Sequence, residues 1–130
     1  MIRGIGCDII NIERLRQETG FLERFANRIL GSEEVIELKD MPIADNRKLA
    51  CELAKYYAGK EAFVKALGTG FRDGIFFRDI QILHDDLGKP ELKISGRAAE
   101  YLKKLSAAGR SFITLSDDYP YAQAVVIIEE

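Results

Sequence analysis

The sequence predicts an α+β fold, with helices packed on one face of a mostly antiparallel sheet. Three observations predict it. Strand-like and helix-like patterns come in blocks (strand, helices, hairpin, helix, hairpin) rather than in strict strand–helix alternation. The stretch LACELAKYYAGKEAFVKALGTG, residues 49–70, is a long uninterrupted run of good helix formers stopped by Gly-Thr-Gly. The last twenty residues hold two apolar runs on either side of a Ser116–Pro120 turn. A length of 130 residues fits a single domain, 1–130, able to bury a core without cross-links.

Taken in order, Ile2 to Ile10 is expected to be a buried strand in which Gly4 and Gly6 allow another backbone to come close. Asn11 suits the N-cap of a short helix to Gln17 or Glu18, broken at Gly20. From Phe21 to Leu30 the pattern is amphipathic, with Phe21, Leu22, Phe25 and Ile29 inward and Arg24 and Arg28 on one outward i,i+4 line. Ser32 followed by Glu33 and Glu34 starts a further helix to about Lys39, ended by Met41-Pro42. Asp45 or Asn46 caps the long helix. Its stripe Leu49, Leu53, Tyr56, Phe63 and Leu67 faces a core. A second stripe of small residues, Ala50, Ala54 and Ala58, runs into Glu61 and Lys65.

Beyond Gly70 lies a loop whose Phe76 and Phe77 either cover a core edge or meet another subunit. Asp79 to His84 and Glu91 to Ile94 pair as a hairpin across an Asp85–Pro90 turn, leaving His84 exposed and without a role. Ser95 caps a helix from Gly96 to about Ala107. Ser111 to Leu115 and Tyr121 to Glu129 are the last strands. The unbroken apolar run Val125–Ile128 fits a central or an interface strand.

Composition excludes several functions. A net charge of −2 argues against nucleic acid as a partner. No apolar run approaches the roughly 18 residues of a membrane span. The strand-like start is not that of a signal peptide. Cys7, Cys51 and the single histidine lack the number and spacing of a zinc site, so a cytoplasmic chain with free thiols is expected. The charge is uneven: residues 14–28 and 45–65 each carry a net +2. Such basic surfaces suit an acidic or phosphate-bearing partner, and equally suit ordinary solvated faces.

Three positions carry the chemistry. By spacing alone, Glu61 and Lys65 are neighbours on a helix, and the plain reading is a surface pair contributing about 0.3–0.5 kcal/mol. Asp8, however, stands inside the apolar run Ile5–Ile10, where an acid is costly unless something pairs with it.

MIRGIGCDIINIER, ERFANRIL, LAKYYAGKEAFVKALGTG, FRDIQI with GKP after it, and SDDYPYAQAVVIIEE, in that order, resemble the holo-[acyl-carrier-protein] synthases, the small group of 4'-phosphopantetheinyl transferases. The resemblance spans nearly the whole chain. Its specific motifs are the Gly4-Ile5-Gly6-Cys7-Asp8 start and the Lys60-Glu61-Ala62-x-x-Lys65 helix. It implies transfer of phosphopantetheine from coenzyme A to a serine of acyl carrier protein in support of fatty acid biosynthesis, with adenosine 3',5'-bisphosphate as the other product. It also implies a homotrimer with active sites between subunits. Asp8 and Glu61 match its magnesium ligands (manganese being the alternative), and Glu61 also matches a group that deprotonates the serine. Lys65 matches its phosphate-contacting lysine. Lys60 is either a ligand contact or a structural residue. Gly68 and Gly70 either offer amides to the nucleotide or simply cap the helix. Arg14, Arg24 and Arg28 match positions that face the acidic helix of the carrier protein, with a solvated face as the plainer reading.

Two positions depart from the pattern. Asp117 stands where a histidine of the coenzyme A phosphate site is usual, and either points away, pairs with a lysine or contacts a metal. Tyr56 replaces an arginine. Both changes remove positive charge from the nucleotide pocket. They leave open a non-catalytic homologue that binds carrier protein or nucleotide, and a metal-dependent pyrophosphate hydrolase. Retention of Asp8, Glu61, Lys65 and the basic helix favours the transferase.

Overall fold

The computed structural model describes residues 1–130. The elements run β1 (Ile2–Asn11), α1 (Thr19–Ile29), α2 (Ser32–Lys39), α3 (Asn46–Leu67), β2 (Ile80–His84), β3 (Pro90–Ile94), α4 (Gly96–Leu105), β4 (Arg110–Asp118) and β5 (Tyr121–Glu129). All strand pairs are antiparallel. They form a three-stranded sheet in the order β1-β5-β4 and a separate hairpin β2-β3. This is the α+β arrangement expected, and β5 is the central strand that its apolar run suggested.

The long helix α3 is the axis of the molecule. Asp45 caps it, accepting from the Lys48 amide at 2.9 Å, and Gly68 closes it in the left-handed conformation at φ 81°. Its apolar and small-residue stripes are both buried, because β1, β5 and β4 cover one side while α1 and β2 cover others. β1 lies directly on it. A Cβ at Gly4 or Gly6 would run into the carbonyl of Ala66 or Ala62, so only glycine permits this spacing.

Several expectations are corrected. β1 is not buried on both faces: Gly6 and Ile10 face α3, while Ile5 and Ile9 are exposed. Alternation wins because α3 covers only one side of the sheet. On the uncovered side, Ile5, Ile127 and Phe112 stand in one cross-strand row. The element after Asn11 is a single 3₁₀ turn, Ile12–Arg14, with the Asn11 side chain accepting from the Glu13 amide at 3.0 Å. Gly20 lies inside the first turn of α1 instead of breaking a helix before it. α4 ends at Leu105, and β4 runs on to Asp118, so Ser116–Asp118 belong to a strand.

His84 is not free. Its Nδ1 lies 3.0 Å from Glu37 Oε1, its amide donates to the same carboxylate, and its ring stands edge-on to Tyr56.

Candidate active site

The close seating of β1 on α3 positions the site. Asp8 lies two residues beyond Gly6 on the same, helix-facing side of β1, in a cross-strand row with Ala124 and Leu115. It therefore reaches the face of α3 that carries Tyr57, Glu61 and Lys65, each one helical turn from the next. The Lys65 ammonium donates to Asp8 Oδ1 at 3.0 Å and to the Cys7 carbonyl at 3.0 Å. The surface pair that spacing suggested between Glu61 and Lys65 is thus a Lys65–Asp8 pair across two elements, with Asp8 largely buried and Lys65 half exposed.

Asp8 and Glu61 line one cleft, together with Arg14, Phe25, Arg28 and Tyr57. Burial raises the affinity of Glu61 for a proton. The Asp8 charge adds to that, while hydrogen bonding from Tyr57 and the Lys65 charge oppose it. Asp8 above all raises the pKa of Lys65, which holds it as an ammonium. Burial, then the Glu61 charge, push the Tyr57 hydroxyl up. Two carboxylates that repel each other inside one cleft form a hard oxygen donor set that a divalent cation would relieve. No third histidine, cysteine or acid gathers with them, so a cation there would complete its shell from phosphate and water oxygens. The residues present therefore fit magnesium.

The remaining expected residues separate. Arg14 and Arg28 are exposed on the rim of the carboxylate cleft; Arg24 is exposed but lies outside it. Lys60 takes the structural option: it is fully buried. Its three donors go to Glu34 Oε1 at 2.6 Å, the Ile80 carbonyl at 2.8 Å and the Phe77 carbonyl at 3.0 Å. Glu34 also accepts from the amides of Gly31 and Ile82, tying α2 and β2 to α3. Burial presses both members of this pair toward their neutral forms, and their contact with each other opposes it.

Gly68 and Gly70 take the capping option. Their amides, with that of Thr69, turn back onto the Val64 carbonyl, and Gly68 also donates to that of Lys65. They cap the helix and present no amide cradle.

Asp117 takes the lysine option. It faces α3 from β4, with Oδ1 3.4 Å from Lys55 Nζ, and Lys55 also pairs with Glu52 at 3.0 Å. Tyr56 is 2% exposed, and its hydroxyl is buried with no partner. Tyr57 is an addition to the expected site residues. Its place four residues before Glu61, on the Glu61–Lys65 line, was the available signal.

Comparison with known proteins bears on this arrangement. The family model of the 4'-phosphopantetheinyl transferase superfamily matches residues 4–124. The holo-[acyl-carrier-protein] synthase of Acidithiobacillus ferrooxidans is 42% identical over 130 residues, covering 99% of this chain and 98% of that protein. The crystal structure of the holo-[acyl-carrier-protein] synthase from Neisseria meningitidis superposes with a TM-score of 0.78 at 38% identity and full coverage of both chains. That of the Bacillus anthracis holo-(acyl-carrier-protein) synthase, in complex with coenzyme A (3',5'-ADP), does so with a TM-score of 0.75 at 32% identity, covering 98% of this chain and 96% of that one.

Proposed function

The chain belongs to the 4'-phosphopantetheinyl transferase superfamily, and from that premise we propose that it is a holo-[acyl-carrier-protein] synthase. It transfers 4'-phosphopantetheine from coenzyme A to a serine of apo-acyl carrier protein, in support of fatty acid biosynthesis. The observation that carries this reading is the meeting of Asp8, Glu61 and Lys65 at the contact of β1 with α3.

The serine oxygen bonds to the phosphorus that bears the pantetheine arm, and the bond from that phosphorus to the bridging oxygen breaks. Adenosine 3',5'-bisphosphate leaves with the bridging oxygen. No nucleophile is needed from this chain, because the carrier-protein serine supplies it. Glu61, whose partly buried carboxylate favours its proton, is suited to take the serine proton directly or through water. Lys65, kept charged by Asp8, is suited to contact the phosphates and neutralise the leaving one. Asp8 and Glu61 would hold magnesium, or manganese, and the bound ion would offset the charge on the phosphate oxygens.

Arg14 and Arg28, on the rim of the same cleft, are suited to dock carboxylates of the carrier protein, with Arg24 further along α1. The whole chain acts as one transferase domain. The apolar row Ile5–Ile127–Phe112, with Ile5, Phe112 and neighbouring Ile9 exposed and Ile127 half-buried, supports a homotrimer, with active sites between subunits, that buries this sheet face. Two free cysteines suit the cytoplasm. No helix is long and apolar enough to cross a membrane.

The test is a mass spectrum of apo-acyl carrier protein after incubation with the protein, coenzyme A and magnesium, beside a chelator control. The expected result is a magnesium-dependent gain of one phosphopantetheine. Carrier protein that binds but gains no mass would replace this reading with a non-catalytic homologue.

A further inference from the structure

Beside the carboxylate cleft lies a second groove, formed by the loop between α3 and β2 and lined by Phe71, Arg72, Ile75, Phe76, Arg78 and Arg28 of α1. It differs from an ordinary loop surface in three ways. Arg28, Arg72 and Arg78 are all exposed, none is in an ion pair, and no acid lines the groove. Phe76 stands 54% exposed with the Arg78 guanidinium 5.3 Å from its ring centre. The nearby acid Asp73 is already engaged, accepting from Tyr101 through its side chain and from Arg97 through its carbonyl.

The groove is also continuous with the catalytic cleft. Arg28 lies on the rim of both. Beneath them runs one aromatic row: Phe71 on Phe77 with ring centres 4.0 Å apart, Phe77 on Tyr57 at 5.7 Å, Tyr57 beside Phe25 at 5.8 Å. The floor is therefore fixed by packing while the charged rim and Phe76 remain free. A macromolecule docked on Arg28 beside Asp8 and Glu61 would therefore stand at the edge of this rim.

We propose that the loop Phe71–Arg78 is a second docking surface for the carrier-protein substrate, taking an acidic face of it on Arg72 and Arg78 and an apolar side chain against Phe76. This rests on the transferase reading above. Unpaired arginines around an exposed aromatic match an acidic amphipathic surface.

The test uses the full chain with Arg72→Glu/Arg78→Glu and, separately, Phe76→Ala. Direct binding of apo-carrier protein is measured on an immobilised surface at low and high salt, beside steady-state kinetics and light scattering. The charge reversal is expected to weaken carrier-protein binding and raise its KM by about tenfold or more, with the difference shrinking at high salt. Phe76→Ala should weaken both at either salt. The kcat, the KM for coenzyme A and the oligomer mass should hold. Unchanged carrier-protein binding overturns the proposal. So does a rise confined to the KM for coenzyme A, which gives the groove to the nucleotide, or a fall in mass, which makes it a subunit contact. If the unaltered protein binds carrier protein through this loop yet transfers nothing, the transferase reading falls and the docking surface stands.

Discussion

Replacing Gly6 with alanine links packing to chemistry in a single methyl group. A Cβ at Gly6 would meet the Ala62 carbonyl and lie 2.6 Å from the Ala66 nitrogen and 3.0 Å from Lys65 Cβ. The obstacles are mostly backbone of a helix buried on nearly every side, so β1 has to yield by about 1 Å. Overpacking of this kind costs about 1–3 kcal/mol. Asp8 rides on the displaced strand, so the Asp8–Lys65 contact and the separation from Glu61 change with it. A misplacement of about 1 Å in a catalytic constellation lowers turnover roughly 100-fold. Thermal unfolding by circular dichroism and mass-spectrometric rates of holo-carrier formation read the two effects on one preparation. Gly20→Ala is the control: only the flexible end of Arg24 is near, and alanine there should be neutral or stabilising by up to about 1 kcal/mol. A Gly6→Ala protein with unaltered melting and unaltered turnover would refute the idea that the β1–α3 backbone contact sets the carboxylate geometry.

Further expectations follow from other contacts. Lys60→Met should cost about 3–5 kcal/mol by stranding the buried Glu34 carboxylate, with much of the loss restored by adding Glu34→Gln; denaturant midpoints check both. Glu61→Gln should abolish turnover yet melt higher than the parent at neutral pH in metal-free buffer. The folded state holds the Glu61 proton more tightly than the unfolded chain, so this group's contribution to stability is present at low pH and lost as pH rises through its raised pKa. The difference in melting temperature should therefore close below the ordinary carboxylate range, and equal melting at every pH would contradict it. Arg14→Glu with Arg24→Glu should raise the KM for carrier protein and leave that for coenzyme A unchanged, most clearly at low salt.

Much of this was legible in the sequence, for identifiable reasons. Asp8 stood out because an acid within an apolar strand needs a partner, and Lys65 proves to be that partner. The bounds of α2 and the Asp45 cap of α3 follow from local chemistry that acts over a single turn. What failed or stayed open depends on distant parts of the chain. Lys60 sits one residue from Glu61, yet its direction is decided by Glu34, 26 residues earlier in another helix. Ile5 and Ile9 read as core because an apolar residue looks the same in the sequence whether or not its own chain covers it. Gly68 and Gly70 were ambiguous until the amides could be followed to the Val64 carbonyl. The sequence places Asp117 in a turn with a lysine among its possible partners; β4 extends through it and brings it to Lys55.

The most direct test of the central claim is single-turnover formation of holo-carrier protein by the parent, Asp8→Asn and Glu61→Gln under saturating magnesium and coenzyme A, followed by mass spectrometry. The account predicts rapid transfer by the parent and loss of at least about 100-fold in each variant, with folding intact. Parent-like rates in either variant would contradict the assignment of these two carboxylates as the reacting centre.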